Sequence, residues 1–202
     1  MENKTLKETA EILLNFDGMV KGESFRTHGE YIRYREGEEG VRRVEEKMAE
    51  LGVPIKFKNI KPLQWYNEGK SSLIIVIAKE IFNWTEDDIY EMGRFSAKSS
   101  FIVKVLMRYF VSLEKVLSQA PVYWKKYCSF GEVQPIELNK KDQYILLRLK
   151  GFTMHPLVCT FYAGYFHGFA GMNIKSKKMR VEEVKCMSKG DPYHEYLIKW
   201  KN

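Results

Sequence analysis

Residues 131–200, GEVQPIELNKKDQYILLRLKGFTMHPLVCTFYAGYFHGFAGMNIKSKKMRVEEVKCMSKGDPYHEYLIKW, carry the reading that decides the fold. Val133–Leu138 and Tyr144–Leu149 are strand-like runs joined by Asn139-Lys140-Lys141-Asp142, a hairpin with turn residues in its loop. A helix is predicted from about Pro156 to Gly171. Two further strands follow, Lys178–Met187 and Tyr193–Trp200, separated by the turn Ser188-Lys189-Gly190-Asp191-Pro192. This third of the chain reads ββ–α–ββ. The predicted class is α+β, an antiparallel sheet packed against helices with an N-terminal helical elaboration.

Working outward, Thr5–Phe16 reads as a short amphipathic helix. Gly37 and Gly40 bracket a turn before a helix over Val41–Leu51, which Gly52 and Pro54 end. A hairpin is entertained around Tyr31–Arg35, and Ile55–Ile60 alternates apolar and basic residues as a strand does. Ser71 or Ser72 can cap Leu73–Phe82, and Thr85 with Asp88 forms a capping box for a helix to Gly93. The longest helix is predicted over Ser99–Gln119, ended by Pro121, with room for one further turn over Val122–Tyr127. Its stripe of Phe101, Ile102, Val105, Leu106, Tyr109, Phe110, Leu113, Val116 and Leu117 spans more than one face. From that width we expect a homodimer built on the N-terminal helices. Without repeats or linkers, 1–202 is expected to be one domain, with 1–98 an elaboration and 99–202 the ligand-binding core.

Composition sets the outer bounds. Of 202 residues, 45% are apolar and 29% charged, with 12 Phe, 12 Tyr and 4 Trp, enough for a sizeable core and too many for disorder or a coiled-coil rod. The longest apolar run, Leu73–Ala78, is far below the ~20 residues that a bilayer requires. The first ten residues have no secretory apolar stretch. Three cysteines make a poor disulfide framework and favour a reducing, cytoplasmic setting. The net charge of +7 permits an anionic partner without identifying one. Lys175, Lys177, Lys178 and Arg180 stand without a nucleic-acid-binding motif, so nucleic acid is not the expected partner. No phosphate loop, nucleophile elbow or dinucleotide fingerprint is present, and no catalytic residue is assigned.

The chemistry-bearing residues crowd into the last 50 positions: His155, Cys159, Glu183, Cys186 and His194. Cys186 and His194 face each other across the Gly190-Asp191-Pro192 turn, where two such ligands can share a divalent metal. Pro156 at the first helical position puts Cys159 in the first turn, where free N–H groups favour thiolate. Two thiolates, an imidazole and a carboxylate make a four-ligand zinc site, and iron uses similar ligands. The alternative is that the cysteines are small buried hydrophobes. Glu183 and Cys186 are three apart, an odd offset that sends strand side chains to opposite faces, so joint ligation requires a bulge or strong twist.

Cys159-x4-Gly164-Tyr165-x2-Gly168-Phe169, then Glu183-x2-Cys186-x3-Gly190-Asp191-Pro192-x-His194, resembles the signature of the 4-vinyl reductase domain. That family includes predicted hydrocarbon-binding proteins and sensor modules of aromatic-responsive regulators. It shares a fold with TRAPP-type trafficking subunits and more distantly resembles haem-based nitric-oxide-binding domains. The match covers about Gly131–Trp200. The resemblance implies a zinc held by Cys159, Glu183, Cys186 and His194, with His194 standing where the family usually has Cys. It also implies a small apolar or aromatic ligand between helix and sheet.

For that ligand the candidate wall is Phe161, Tyr162, Tyr165, Phe166, Gly168 and Phe169, the glycines leaving room beside the rings or letting another backbone approach. Trp65, Tyr66, Trp84, Tyr123 and Trp124 are further candidates. His155 is expected to be an N-cap or an exposed residue, in reserve as a ligand should Glu183 point away, and Cys128 to be buried. The expected function is a cytoplasmic small-molecule binding or sensing domain with a structural zinc. The alternatives are a reductase acting on a tetrapyrrole or similar substrate, and a non-catalytic dimerisation module.

Overall fold

A computed structural model describes residues 5–109 and 112–201. The class is α+β as expected, with the elements in the order α1 (Leu6–Leu14), β1 (Met19–Lys21), α2 (Glu23–Glu50), β2 (Trp65–Asn67), α3 (Glu68–Phe82), α4 (Glu86–Ser99), α5 (Phe101–Tyr109), α6 (Leu113–Tyr127), β3 (Glu132–Asn139), β4 (Tyr144–Lys150), α7 (Pro156–Ala170), β5 (Arg180–Lys185) and β6 (His194–Lys199). The last four strands form one antiparallel sheet in the order β3-β4-β6-β5. α7 lies on this sheet and α4 lies along α7. β1 and β2 pair as a separate two-stranded ribbon.

Local chemistry explains most of the helix starts. Thr5 with Glu8 and Thr85 with Asp88 close reciprocal capping boxes on α1 and α4. Asn67 caps α3 by accepting from the Lys70 amide, and its own amide group donates to the Phe16 carbonyl. Leu73–Ala78 is buried on every side, which makes α3 the central helix.

Three expectations are corrected. Tyr31–Arg35 is helical within α2, a single element broken at Gly37, whose φ of 71° no side chain adopts easily. Tyr31 is buried there against Trp84 and Phe95. Ile55–Ile60 finds no partner strand. It instead folds around a 3₁₀ turn, Phe57–Asn59, which packs Phe57 where Gly29 of α2 leaves room. The Glu45 carboxylate accepts from the Phe57 amide at 2.9 Å.

The long helix over Ser99–Gln119 is likewise two helices. Ser112, extended at φ −145° and ψ 153°, opens the second of them and caps it by accepting from the Lys115 amide. Where the first begins, Ser100 leaves helical geometry at ψ 120°, and the Phe101 amide donates to the buried Glu23 carboxylate at 2.7 Å. Arg26, paired with that carboxylate, donates to the Ser99 carbonyl, so the α4–α5 junction is pinned from α2. Pro121 sits inside α6 rather than ending it. The side chains of Leu106, Tyr109 and Phe110 in the predicted stripe lie outside the described residues. The continuous stripe from which a dimer was expected is therefore absent as such.

Candidate functional site

α7 organises both candidate sites. His155 caps it, its Nδ1 accepting from the Leu157 amide at 3.3 Å, and Pro156 occupies the first turn. Cys159 follows on the turn facing the β5–β6 connection. A bulge in β5 between Glu183 and Lys185 shifts the register against β6, the local distortion that joint use of Glu183 and Cys186 requires. Cys186 ends the strand, and its amide donates to Asp191 Oδ2 at 2.8 Å. Gly190, at φ 97°, turns the chain back into β6, which opens with His194.

The result is a buried cluster. Cys159 Sγ lies 3.8 Å from Cys186 Sγ and 3.7 Å from His194 Nδ1, and His194 Nδ1 lies 2.8 Å from Glu183 Oε1. All four ligand atoms fall within 4.8 Å of one another. His194 Nε2 points at the Phe152 carbonyl, 3.3 Å away, an outer contact that fixes the ring. The sulfur separation is far beyond the ~2.05 Å of a disulfide. It matches the ~3.8 Å between two sulfurs on one tetrahedral ion with bonds of about 2.3 Å. Burial pushes the Cys159 thiol well up, reinforced by Glu183 and Cys186, so ion binding here must release a proton.

The second feature is a cavity of about 370 Å³ bounded by α2, α3, α6, α7 and the inner face of the sheet. Phe161, Tyr162, Tyr165, Phe166 and Phe169 line it, as do Tyr123 and Trp124; Trp65, Tyr66 and Trp84 do not. Gly168 requires a correction: it is not part of the wall. A Cβ there would stand 2.5 Å from the Arg94 carbonyl oxygen, so the space beside it is filled by the α4 backbone. Gly164 and Gly93 meet the opposite backbone in the same way, at 1.9 Å from the Tyr90 oxygen and 2.0 Å from the Phe161 oxygen.

The cavity wall also carries buried polar side chains that sequence reasoning missed. His28, Glu68 and Ser96 line it, from α2, α3 and α4. His28 Nε2 lies 3.2 Å from Ser71 Oγ, which is 3.2 Å from Ser24 Oγ, while Ser72 donates to Glu68 Oε1 at 3.1 Å. Burial lowers the His28 pKa to about 3 and raises that of Glu68 to about 8, the Ser72 and Ser71 hydroxyls only partly offsetting the latter. Glu68 reads in sequence as an ordinary first-turn acid and His28 as a spare imidazole. Only the long-range packing of α2 on α3 sets them facing one cavity.

No family model and no curated protein matches this sequence. Among solved structures, an H-NOX protein from S. oneidensis in the Fe(II) ligation state is similar at TM-score 0.71 and 16% identity, covering 90% of this chain and 96% of that one. Its Fe(II)NO form is similar at 0.70 and 17%, covering 90% and 99%. A structure probing heme distortion in the H-NOX family is similar at 0.63 and 18%, covering 90% and 95%. The chain thus has the H-NOX fold. The finer 4-vinyl reductase resemblance finds no matching family model. Zinc as cofactor is corrected as well: the structures this chain resembles are described by Fe(II) ligation and heme.

Heme does not fit the residues present. Haem iron takes His, Cys, Met or Tyr as its protein ligand. His28 is the only imidazole on the cavity wall. Its Nε2, the usual iron-binding nitrogen, is already engaged by Ser24 and Ser71. Burial holds the Cys128 thiol and the Tyr127, Tyr162 and Tyr165 hydroxyls well above their usual ranges, so each is protonated in the ligand-free protein. Among the described residues the wall holds a buried carboxyl and no arginine to meet propionates.

Proposed function

We propose that this chain is a small-molecule-binding domain of the sensor type, holding an apolar or aromatic ligand in the cavity beside α7. The observation that carries the reading is the ring-lined space of about 370 Å³, within the size range of ligand pockets. The reading treats residues 1–202 as one working unit, with α6 and the helices before residue 99 closing the cavity over the sheet. It makes Cys159, Glu183, Cys186 and His194 a metal-ion site that fastens the start of α7 to the β5–β6 turn. All four ligands come from the protein, the pattern of a structural rather than a catalytic ion.

The test of the cavity is uptake of Nile red, a neutral apolar dye, by the full chain. Saturable fluorescence enhancement at about one dye per chain is expected. Ala120→Trp, which fills the cavity from α6, should abolish it while leaving the far-ultraviolet circular dichroism unchanged. Undiminished uptake by a folded Ala120→Trp protein overturns the cavity reading.

A further inference from the structure

The buried polar side chains of the cavity wall are incompletely paired. Among the described residues, His28 Nδ1, Glu68 Oε2 and Ser96 Oγ are buried side-chain atoms with no hydrogen-bond partner. All three residues line the same cavity and are almost fully buried, at 0%, 4% and 2% exposure. Buried polar atoms are normally satisfied, and buried acids are normally paired with a cation. Among the described residues no cation answers Glu68. Of the lysines on the wall, Lys21 is held by the Leu63 carbonyl and the Trp65 ring, and Lys126 is exposed beside the Tyr123 ring.

We propose that the cavity is built for an apolar primary amine, whose ammonium group docks on Glu68, His28 and Ser96 while its body lies among the rings of α7. The inference rests on the cavity reading above and names its ligand class. An ammonium has three donors and no acceptor. The three unpaired atoms offer three acceptors: a carboxylate oxygen, the bare imidazole nitrogen left when Nε2 donates to a serine, and a hydroxyl oxygen. Aromatic faces attract a desolvated ammonium, and His28 itself stands edge-on to Phe161 at 5.1 Å. The raised Glu68 and lowered His28 pKa values follow, for they describe a site whose charge partner comes from outside. A carboxylate head would meet only a carboxyl, an imidazole and a hydroxyl, with no cation to neutralise it.

The experiment is displacement of Nile red from the full chain by 2-phenylethylamine, 2-phenylethanol and 3-phenylpropanoate, bodies of similar size with different heads. The amine is expected to bind at least about tenfold tighter than the alcohol, with the carboxylate weakest. Glu68→Gln should weaken the amine by about 30-fold or more and leave the alcohol within a few fold. Equal or tighter binding of the alcohol by the native protein overturns the proposal, since the unpaired atoms are then met by water. So does an amine affinity unmoved in Glu68→Gln. Should that variant not fold, Ser96→Ala tests the same group with a smaller expected loss. Absence of Nile red uptake removes the cavity itself; dye uptake without amine preference removes only this proposal.

Discussion

At the scale of single residues, Glu68 and His28 pull the pH dependence of stability in opposite directions. Glu68 holds its proton up to about pH 8 when folded but only to about 4.5 when unfolded, so its contribution falls as pH rises between those values. His28 refuses a proton down to about pH 3 when folded while the unfolded residue takes one near 6.5, so its contribution is lost as pH falls through that window. The two oppose each other between about 4.5 and 6.5. Above 6.5 the Glu68 effect stands alone, and ligand-free protein should lose stability by a few kcal/mol toward pH 8.5. Denaturant titrations at pH 6 and pH 8.5 check this; Glu68→Gln should flatten the loss, and a loss unchanged in that variant places its cause elsewhere. Neither residue was legible from sequence, because a first-turn acid and a lone histidine look alike whether they face solvent or a cavity. Cys186 and His194 were legible together because one short turn joins their strands, and Cys159 because Pro156 marks the start of its helix.

Among elements, the β5–β6 turn and the start of α7 meet through the four-residue cluster. Loading the protein with Co²⁺ should give sulfur-to-metal charge-transfer absorption in the near ultraviolet and tetrahedral visible bands. Cys186→Ser should weaken the charge-transfer band and lower the melting temperature of the loaded protein only. Spectra identical in Cys186→Ser and the parent would exclude Cys186 as a ligand. The α4–α7 contact makes a second prediction. Gly168→Leu has the Arg94 carbonyl at 2.5 Å and the Ala97 methyl at 2.9 Å from its first side-chain atom, so overpacking should cost about 3 kcal/mol or more. A stable Gly168→Leu protein that takes up Nile red normally would contradict this packing. The glycines at 164 and 168 announce close approach in the sequence, yet nothing local says whether a ligand or a backbone approaches. The predicted Ser99–Gln119 helix erred in its middle: its apolar spacing continues through Leu113, Val116 and Leu117, while an extended Ser112 caps a new helix there.

On the scale of the molecule, fold and cofactor separate. The strand and helix order after Gly131 was legible because each element there carries its own periodicity and turn residues. The helical portion before it was partly misread, since Tyr31–Arg35 and Ile55–Ile60 take their conformation from what they pack against. The resulting architecture is that of the H-NOX proteins, while among the described residues the one imidazole on the cavity wall is already engaged by two serines. Purified protein titrated with hemin should show no saturable, shifted Soret band. A sharp six- or five-coordinate spectrum at one hemin per chain, abolished in His28→Ala, would reverse that conclusion. Among the described residues no helix is long and apolar enough to cross a membrane.

Where Gly93, Gly164 and Gly168 bring α4 and α7 together, main chain rests on main chain, with no flexible side chain between to absorb a displacement. Two helices in such contact leave the native state together or not at all. Their amide protons should therefore exchange with deuterated solvent at one common, slow rate set by global unfolding, while those of α5 exchange earlier through local opening. A molecule filling the cavity pushes on α7, and α4 moves with it as part of one body. Its far surface, bearing Glu86, Asp87 and Glu91, is then where occupancy becomes readable from outside.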